Sequence, residues 1–323
     1  MISMENKSLH ALSIVVPAYN EEKNLPEFFK RVIPVLESVT ADYEIIFAID
    51  PCRDRTEDIL RDHAKASSRV KVIRFSRRFG QAMAILAGCQ YSSGEAVIVM
   101  DADLQDPPEL IPQMWADFKA GFDVVMLQRR ERLGETWVRR VLAAAGYSLI
   151  NWIAEVEIPR NVGEFRLMSR RVVLELNRLK ECHGFLRGLI AFIGFKQKII
   201  TFDRPARHAG TTNYSAFIPN IRNGLHGLVC FSGALLKLST TMGICCALGA
   251  FFLGFAYAVI QILERPFPIG NPTIVILCLF MGGIQLVCLG IMGEYISRIY
   301  EEVRNRPKFI VDYALGLQEN PKL

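Results

Sequence analysis

Through the first 127 residues, short apolar runs alternate with segments whose apolar side chains recur every three to four positions. The runs at 12–16, 43–49, 70–75, 96–100 and 122–126 are β-rich and bounded by turn-forming residues, and they predict strands. The segments 25–38, 56–65, 81–90 and 110–120 predict helices between them. Such alternation predicts an α/β fold, a mostly parallel, doubly wound sheet with its functional loops at the strand ends. Beyond it, 137–152 has helical spacing, with Arg139 and Arg140 on a separate face that suits solvent or headgroups. Residues 155–214 are less regular and rich in Gly, Arg and aromatics. From 215 to 231, Phe217, Ile221, Leu225 and Leu228 alternate with Arg222 and His226, which predicts an amphipathic helix lying in a membrane interface.

The pattern then changes. Neither 238–263 nor 272–293 contains a charged residue. Each exceeds the roughly 20 apolar residues that a helix needs to cross a bilayer core. Only Glu264-Arg265-Pro266-Phe267-Pro268-Ile269-Gly270-Asn271 separates them, so a transmembrane helical hairpin is expected. Arg222 and Lys237 precede the first span, and Arg298, Arg304, Arg306 and Lys308 follow the second, while the turn holds only Arg265. The positive-inside rule therefore puts both large ends in the cytoplasm. The apolar run 12–16 is too short for a signal peptide and leads into Asn20-Glu21-Glu22, so the N-terminal part is expected to stay in the cytosol. The expected organisation is a cytoplasmic domain over 1–214, an interfacial helix over 215–237, the two spans, and a cytoplasmic tail over 294–323 of an integral plasma-membrane protein.

Composition adds little beyond this. The hydrophobic share of 51% is slightly high for a soluble protein, and the spans account for the excess. Cys245, Cys246, Cys278 and Cys288 lie in the spans, and no C-x-x-C pair signals zinc or redox chemistry. A net charge of +5 without a dense basic tract suits phosphates or anionic headgroups and does not suggest nucleic acid.

The candidate chemistry lies at the strand ends. Val97-Ile98-Val99-Met100 feeds directly into Asp101-Ala102-Asp103-Leu104-Gln105-Asp106-Pro107-Pro108. Alternation along a strand would bring Asp101 and Asp103 out on one side of its carboxyl end, where open α/β sheets bind ligands. Two such carboxylates suit Mg²⁺ or Mn²⁺ carrying a diphosphate; the plainer alternative is a solvated acidic turn. The other strand ends carry Pro17-Ala18-Tyr19-Asn20-Glu21-Glu22, Asp50 to Asp54-Arg55-Thr56, and Arg77-Arg78-Phe79-Gly80-Gln81. One polar strand end could merely cap a helix, as Asp54 or Asn24 could. Four of them on one sheet edge predict a nucleotide pocket.

In this order and spacing the motifs resemble glycosyltransferase family 2 enzymes of the GT-A fold. More narrowly, they resemble the polyisoprenyl-phosphate glycosyltransferases, which include dolichol-phosphate mannose synthases and bactoprenol glucosyltransferases. Besides the four strand ends, the likeness rests on Arg129-x-x-Arg132 with Gly134-Glu135 and on Arg207-x-x-Gly210-x-Thr212-x-Tyr214. It runs from residue 13 to 214, and the two spans extend it to the bactoprenol branch. The resemblance implies that Pro17, Tyr19, Glu21 and Asp50 hold the base and ribose, with Gln81 also on the donor side. It implies that Asp101 and Asp103 bind the metal and the diphosphate, with Gln105 nearby. Arg129 and Arg132 would contact phosphate, and Arg207, Thr212 and Tyr214 would belong to a segment closing over the site.

Two positions depart from the family pattern. Pro51-Cys52-Arg53 stands where Asp-Gly-Ser is frequent, so Asp54 is expected only to shape its turn. Asn161-Val162-Gly163-Glu164-Phe165-Arg166 stands where Gly-Asp-Phe-Arg is usual. Glu164 keeps the charge of a catalytic-site carboxylate but reaches one methylene further, so Glu164→Asp is expected to leave activity equal or higher. No catalytic histidine is evident; His63 is expected on a helix surface, with His183, His208 and His226 in the second half. None is required, because a lipid phosphate has its second pKa near ~6 and attacks already ionised.

The resemblance thus implies inverting, metal-dependent transfer of one sugar from UDP-glucose to undecaprenyl phosphate at the cytoplasmic membrane face. GDP-mannose or a UDP-linked aminosugar are alternative donors, and a non-catalytic membrane scaffold that keeps the fold is the alternative from another class. A homo-oligomer is expected, with a tetramer as one candidate. Ala250-x-x-x-Gly254 would allow close helix contact, either within one hairpin or between subunits.

Overall fold

The structure, a computed structural model, describes residues 10–130, 162–179, 186–203, 234–263 and 271–317. The chain divides into two units: 1–151 with 156–220 and 307–323, and 152–155 with 221–306.

In the first unit, β1 (His10–Ala18), β2 (Tyr43–Ile49), β3 (Val70–Phe75) and β4 (Gly94–Val99) alternate with α1 (Leu25–Val39), α2 (Thr56–Ala66) and α3 (Gln81–Tyr91). A single 3-10 turn (Pro108–Leu110) then leads into α4 (Ile111–Lys119) and β5 (Val124–Arg129). After them come β6 (Val162–Ser169), α5 (Arg170–Arg178), α6 (Leu186–Ile193), β7 (Gln197–Phe202) and, far along the chain, β8 (Val311–Leu315). The eight strands form one sheet in the order β7-β5-β6-β4-β1-β2-β3-β8. β1 pairs in parallel with both β2 and β4, and β5 with β7. Only β6 and β8 run against their neighbours.

The apolar periodicity explains the layering. Phe28, Phe29, Val32 and Leu36 of α1 face Leu12, Ile14, Phe47 and Ile49 in one core. Ala84 and Ala87 of α3 pack on Ile46, Ala48 and Ile73 on the other side of the sheet. There Gly88 is required, because a Cβ would sit 2.2 Å from Val15 Cγ1; α3 lies on β1 too closely for any side chain. Pro17 is buried in a central strand, yet β4 pairs with β1 only as far as Val15–Val99. Beyond that register no ladder hydrogen bond to β4 is lost by the missing N–H.

The strands and helices expected through residue 127 are all present, with shifted ends. β5 lies at 124–129 rather than 122–126, running on through the polar pair Gln128-Arg129. β4 stops at Val99, and Asp101 and Asp103 lie in the turn beyond it. Three strands, β6, β7 and β8, were not anticipated. Glu164 and Arg166 interrupt the apolar run of β6, and β8 is only five residues long within what reads as a tail. The expected helices 137–152 and 215–231 lie outside the described residues.

In the second unit, α7 (Ala234–Ile262) and α8 (Asn271–Val303) include the windows Ser239–Ala256 and Phe280–Val303, long and apolar enough to cross a membrane. Phe251, Phe252, Leu253 and Leu286 are exposed. Helix α8 continues ten residues past the charge-free stretch, since Glu294 and Arg298 pair one turn apart at 3.3 Å and charged residues of this kind favour helix. Among the described residues nothing lies within 4 Å of a Cβ added at Gly254.

Candidate active site

Strand polarity assembles the site. The carboxyl ends of β1, β2, β3, β4 and β5 bring Tyr19, Asp50, Arg78, Asp101 and Arg129 to one edge of the sheet. β6 enters antiparallel at that same edge, with Val99 opposite Arg166. Continuing that register by two residues sets Glu164 across from Asp101. An antiparallel insertion therefore delivers a late motif to the strand ends of the early ones.

The turn after β4 is tight. Leu104 is buried with φ +57°, and Asp103 Oδ1 accepts the Gln105 N–H at 3.1 Å. A buried, non-glycine residue in left-handed backbone is strain of the kind found at functional sites. Gln81, the first residue of α3, donates from Nε2 to Asp101 Oδ1 at 2.7 Å. Asp50 accepts the Phe79 N–H at 2.8 Å and the Gly80 N–H at 3.1 Å, fixing the loop that delivers Gln81. Gly80 takes φ +89°, which favours glycine. Arg78 stacks its guanidinium 4.3 Å from the Tyr19 ring centroid.

Charge is crowded here. Burial, with the nearby carboxylates of Asp106, Asp103 and Glu164, pushes Asp101 up to about 8 despite the Gln81 bond. Asp103 and Asp106 are both buried. Glu164 responds in the opposite direction. Burial would raise its pKa, but Arg166, Arg187 and Arg129 outweigh that and hold it below the usual carboxylate range. Arg166 Nη2 donates to one Glu164 oxygen at 2.8 Å and Arg187 Nε to the other at 2.9 Å.

Among the described residues, no three Asp, Glu, His or Cys side chains converge into a metal cage. A smaller demand is met. Mg²⁺ typically uses one or two carboxylates and takes its other ligands from phosphate and water. Asp101 and Asp103 offer hard oxygens where carboxylate repulsion favours a cation, so the residues fit such an ion.

The site residues expected from sequence separate into groups. Asp101, Asp103, Gln81, Gln105, Glu164 and Arg129 come to the same sheet edge. Asp50 binds the neighbouring loop through both carboxylate oxygens, and Glu21 accepts from Asn24 Nδ2 at 2.5 Å in the turn before α1. Asp54 accepts the Glu22 and Thr56 N–H groups, each at 3.1 Å, and shapes its turn as expected. His63 is half-buried, stacked 3.8 Å from Phe29, rather than a plain surface residue. Arg132, Arg207, Thr212 and Tyr214 lie outside the described residues. Arg187 was not anticipated; the available signal was a lone charge in the apolar octet of α6.

The mostly parallel α/β sheet, with an acidic turn after its fourth strand, is of the GT-A-like fold class. Residues 13–176 match glycosyl transferase family 2, and residues 236–299 match the GtrB C-terminal hairpin. The chain belongs to glycosyl transferase family 2. It is 40% identical over 311 residues to the uncharacterized glycosyltransferase YkcC of Bacillus subtilis, covering 96% of each chain. It is 38% identical over 302 residues to the SfII prophage-derived bactoprenol glucosyl transferase of Shigella flexneri, covering 93% of this chain and 97% of that one. A 36% identity over 301 residues links it to the prophage bactoprenol glucosyl transferase homolog of Escherichia coli, covering 93% and 98%.

Proposed function

We propose that the protein transfers one glucose from UDP-glucose to a polyprenyl phosphate, undecaprenyl phosphate, at the cytoplasmic face of the cell membrane. The observation that carries this is the acidic turn at Asp101 and Asp103, in a chain that also holds two apolar helices of membrane-crossing length. The names of the bactoprenol glucosyl transferase relatives support the lipid acceptor and the sugar.

Asp101 and Asp103 would hold Mg²⁺ or Mn²⁺, which supplies positive charge to the donor diphosphate and to the departing nucleotide. Gln81 orients Asp101 through its 2.7 Å bond. Arg129 contributes cationic charge for phosphate at the end of β5. The acceptor phosphate, largely ionised at neutral pH with a second pKa near ~6, attacks the anomeric carbon without a strong protein base. Direct displacement from the face opposite the leaving group inverts that carbon, so an α-linked donor yields a β-linked lipid sugar.

The test is a panel of labelled nucleotide sugars with purified protein, polyprenyl phosphate and Mg²⁺ or Mn²⁺. A lipid-linked glucose from UDP-glucose is expected. Transfer only from GDP-mannose or a UDP-aminosugar would replace the donor, and no transfer from any donor would favour a scaffold.

A further inference from the structure

Three arginines surround Glu164, and they differ in accessibility. Arg166 is sealed at 1% exposure, anchored by donating to the Gly163 carbonyl at 2.8 Å as well as to Glu164. Its Nη1 has no hydrogen-bond partner among the described residues. The Arg187 side chain is 36% exposed, and only its Nε is used in the bond to Glu164. Arg129 lies against Gly163, where an added Cβ would come within 3.2 Å of its Nη2. A buried cluster of this kind is poor stabilisation, because apolar residues of similar size usually do as well or better.

We infer that Glu164 is a positioning residue and that the group it positions is Arg187, presented beside Arg129 to a phosphate of the bound substrates. Both Glu164 oxygens accept from guanidinium groups, which disfavours roles as a base or a metal ligand. Arg166 is too buried to meet a ligand, so it serves as the fixed anchor. Arg187 is the accessible member, and a planar guanidinium held at Nε suits bidentate contact with phosphate oxygens through its terminal nitrogens. The phosphate belongs either to the donor diphosphate or to the acceptor monophosphate. The identity of those substrates rests on the function proposed above.

The test uses full-length protein in detergent, titrated calorimetrically with UDP plus Mn²⁺ and separately with a short-chain polyprenyl monophosphate. Arg187→Ala is expected to weaken one of the two by about tenfold, the scale of a lost charge-assisted contact. Weaker UDP binding assigns Arg187 to the donor; weaker monophosphate binding assigns it to the acceptor. Glu164→Gln should weaken the same ligand although Arg187 remains. Arg187→Lys, which keeps the charge and guards against misfolding of the alanine variant, should restore only part of the affinity. Unchanged affinity for both ligands in Arg187→Ala would overturn the inference, as would wild-type affinity in Glu164→Gln. The donor panel on the same wild-type sample separates the two proposals. Transfer with unchanged phosphate affinity in the variant removes only the role of Arg187. Absence of transfer with a clear loss of phosphate affinity removes only the proposed reaction.

Discussion

At the scale of single residues, the acidic turn is a balance between repulsion and the need for a cation. Asp103→Ala is expected to reduce sugar transfer at least about a hundredfold, in line with losing a group that holds transition-state charge, with unchanged circular dichroism. Full activity in that variant would remove the metal role. Because Asp101 is pushed up to about 8, a cation binding there must displace a proton at lower pH. Mn²⁺ affinity, read by titration, is therefore expected to rise about tenfold per pH unit below about 8 and to level off above it. A flat profile from pH 6 to 9 would show that Mn²⁺ binding displaces no proton from Asp101 in that range. The pairing of Glu164 with Arg166 and Arg187 also changes the expectation from sequence for Glu164→Asp. A carboxylate one methylene shorter cannot span both guanidinium groups without movement, so transfer is now expected to fall severalfold in that variant rather than to hold or rise.

At the scale of elements, the amino end of the sheet is held by a buried network around Glu44 of β2. Glu44 accepts from Ser13 Oγ at 2.5 Å, Lys71 Nζ at 2.5 Å and the Ser93 N–H at 2.7 Å, joining β1, β2, β3 and the approach to β4. Burial alone would raise its pKa, but Lys71, Ser13 and Ser93 hold it below the ordinary 4.5. The sign follows directly. This stabilisation is fully present above pH 4.5 and is lost as pH falls through the depressed folded value. Lys71→Met leaves the carboxylate buried without its cation and is expected to cost about 3 kcal/mol at pH 7. In thermal melts the gap from wild type should narrow below pH 4, as Glu44 protonates. β8 is held at the edge of β3 by Tyr313, whose hydroxyl donates to Glu57 at 2.8 Å and accepts from Arg61 at 3.2 Å. Tyr313→Phe removes both bonds and is expected to cost about 1 kcal/mol in denaturant unfolding.

At the scale of the whole molecule, the chain leaves the first unit before α7 and returns after α8 to supply β8. Positive residues flank the two apolar helices on the sides away from their connecting turn. Cysteines introduced singly near residue 267 are expected to react with a membrane-impermeant thiol reagent from outside intact cells. Those introduced near residue 5 or 320 are expected not to react; the reverse pattern would invert the orientation.

Much of this was legible in sequence because its signals are local. Strand runs such as 43–49 and the charge-free stretch 238–263 follow from residue periodicity and length alone, as does the Asp-x-Asp after an apolar run. The sequence by itself therefore determined the fold class, the acidic turn and two helices fit for a bilayer. β6, β7 and β8 were hidden because their pairing partners lie far away in the chain, and pairing rather than composition makes them strands. The same holds for the site. Only the antiparallel entry of β6 places Glu164 across from Asp101, and only the packing of α6 brings Arg187 to it. Tertiary structure thus decided which charges meet, since Coulombic coupling depends on distance in space and not on separation along the chain.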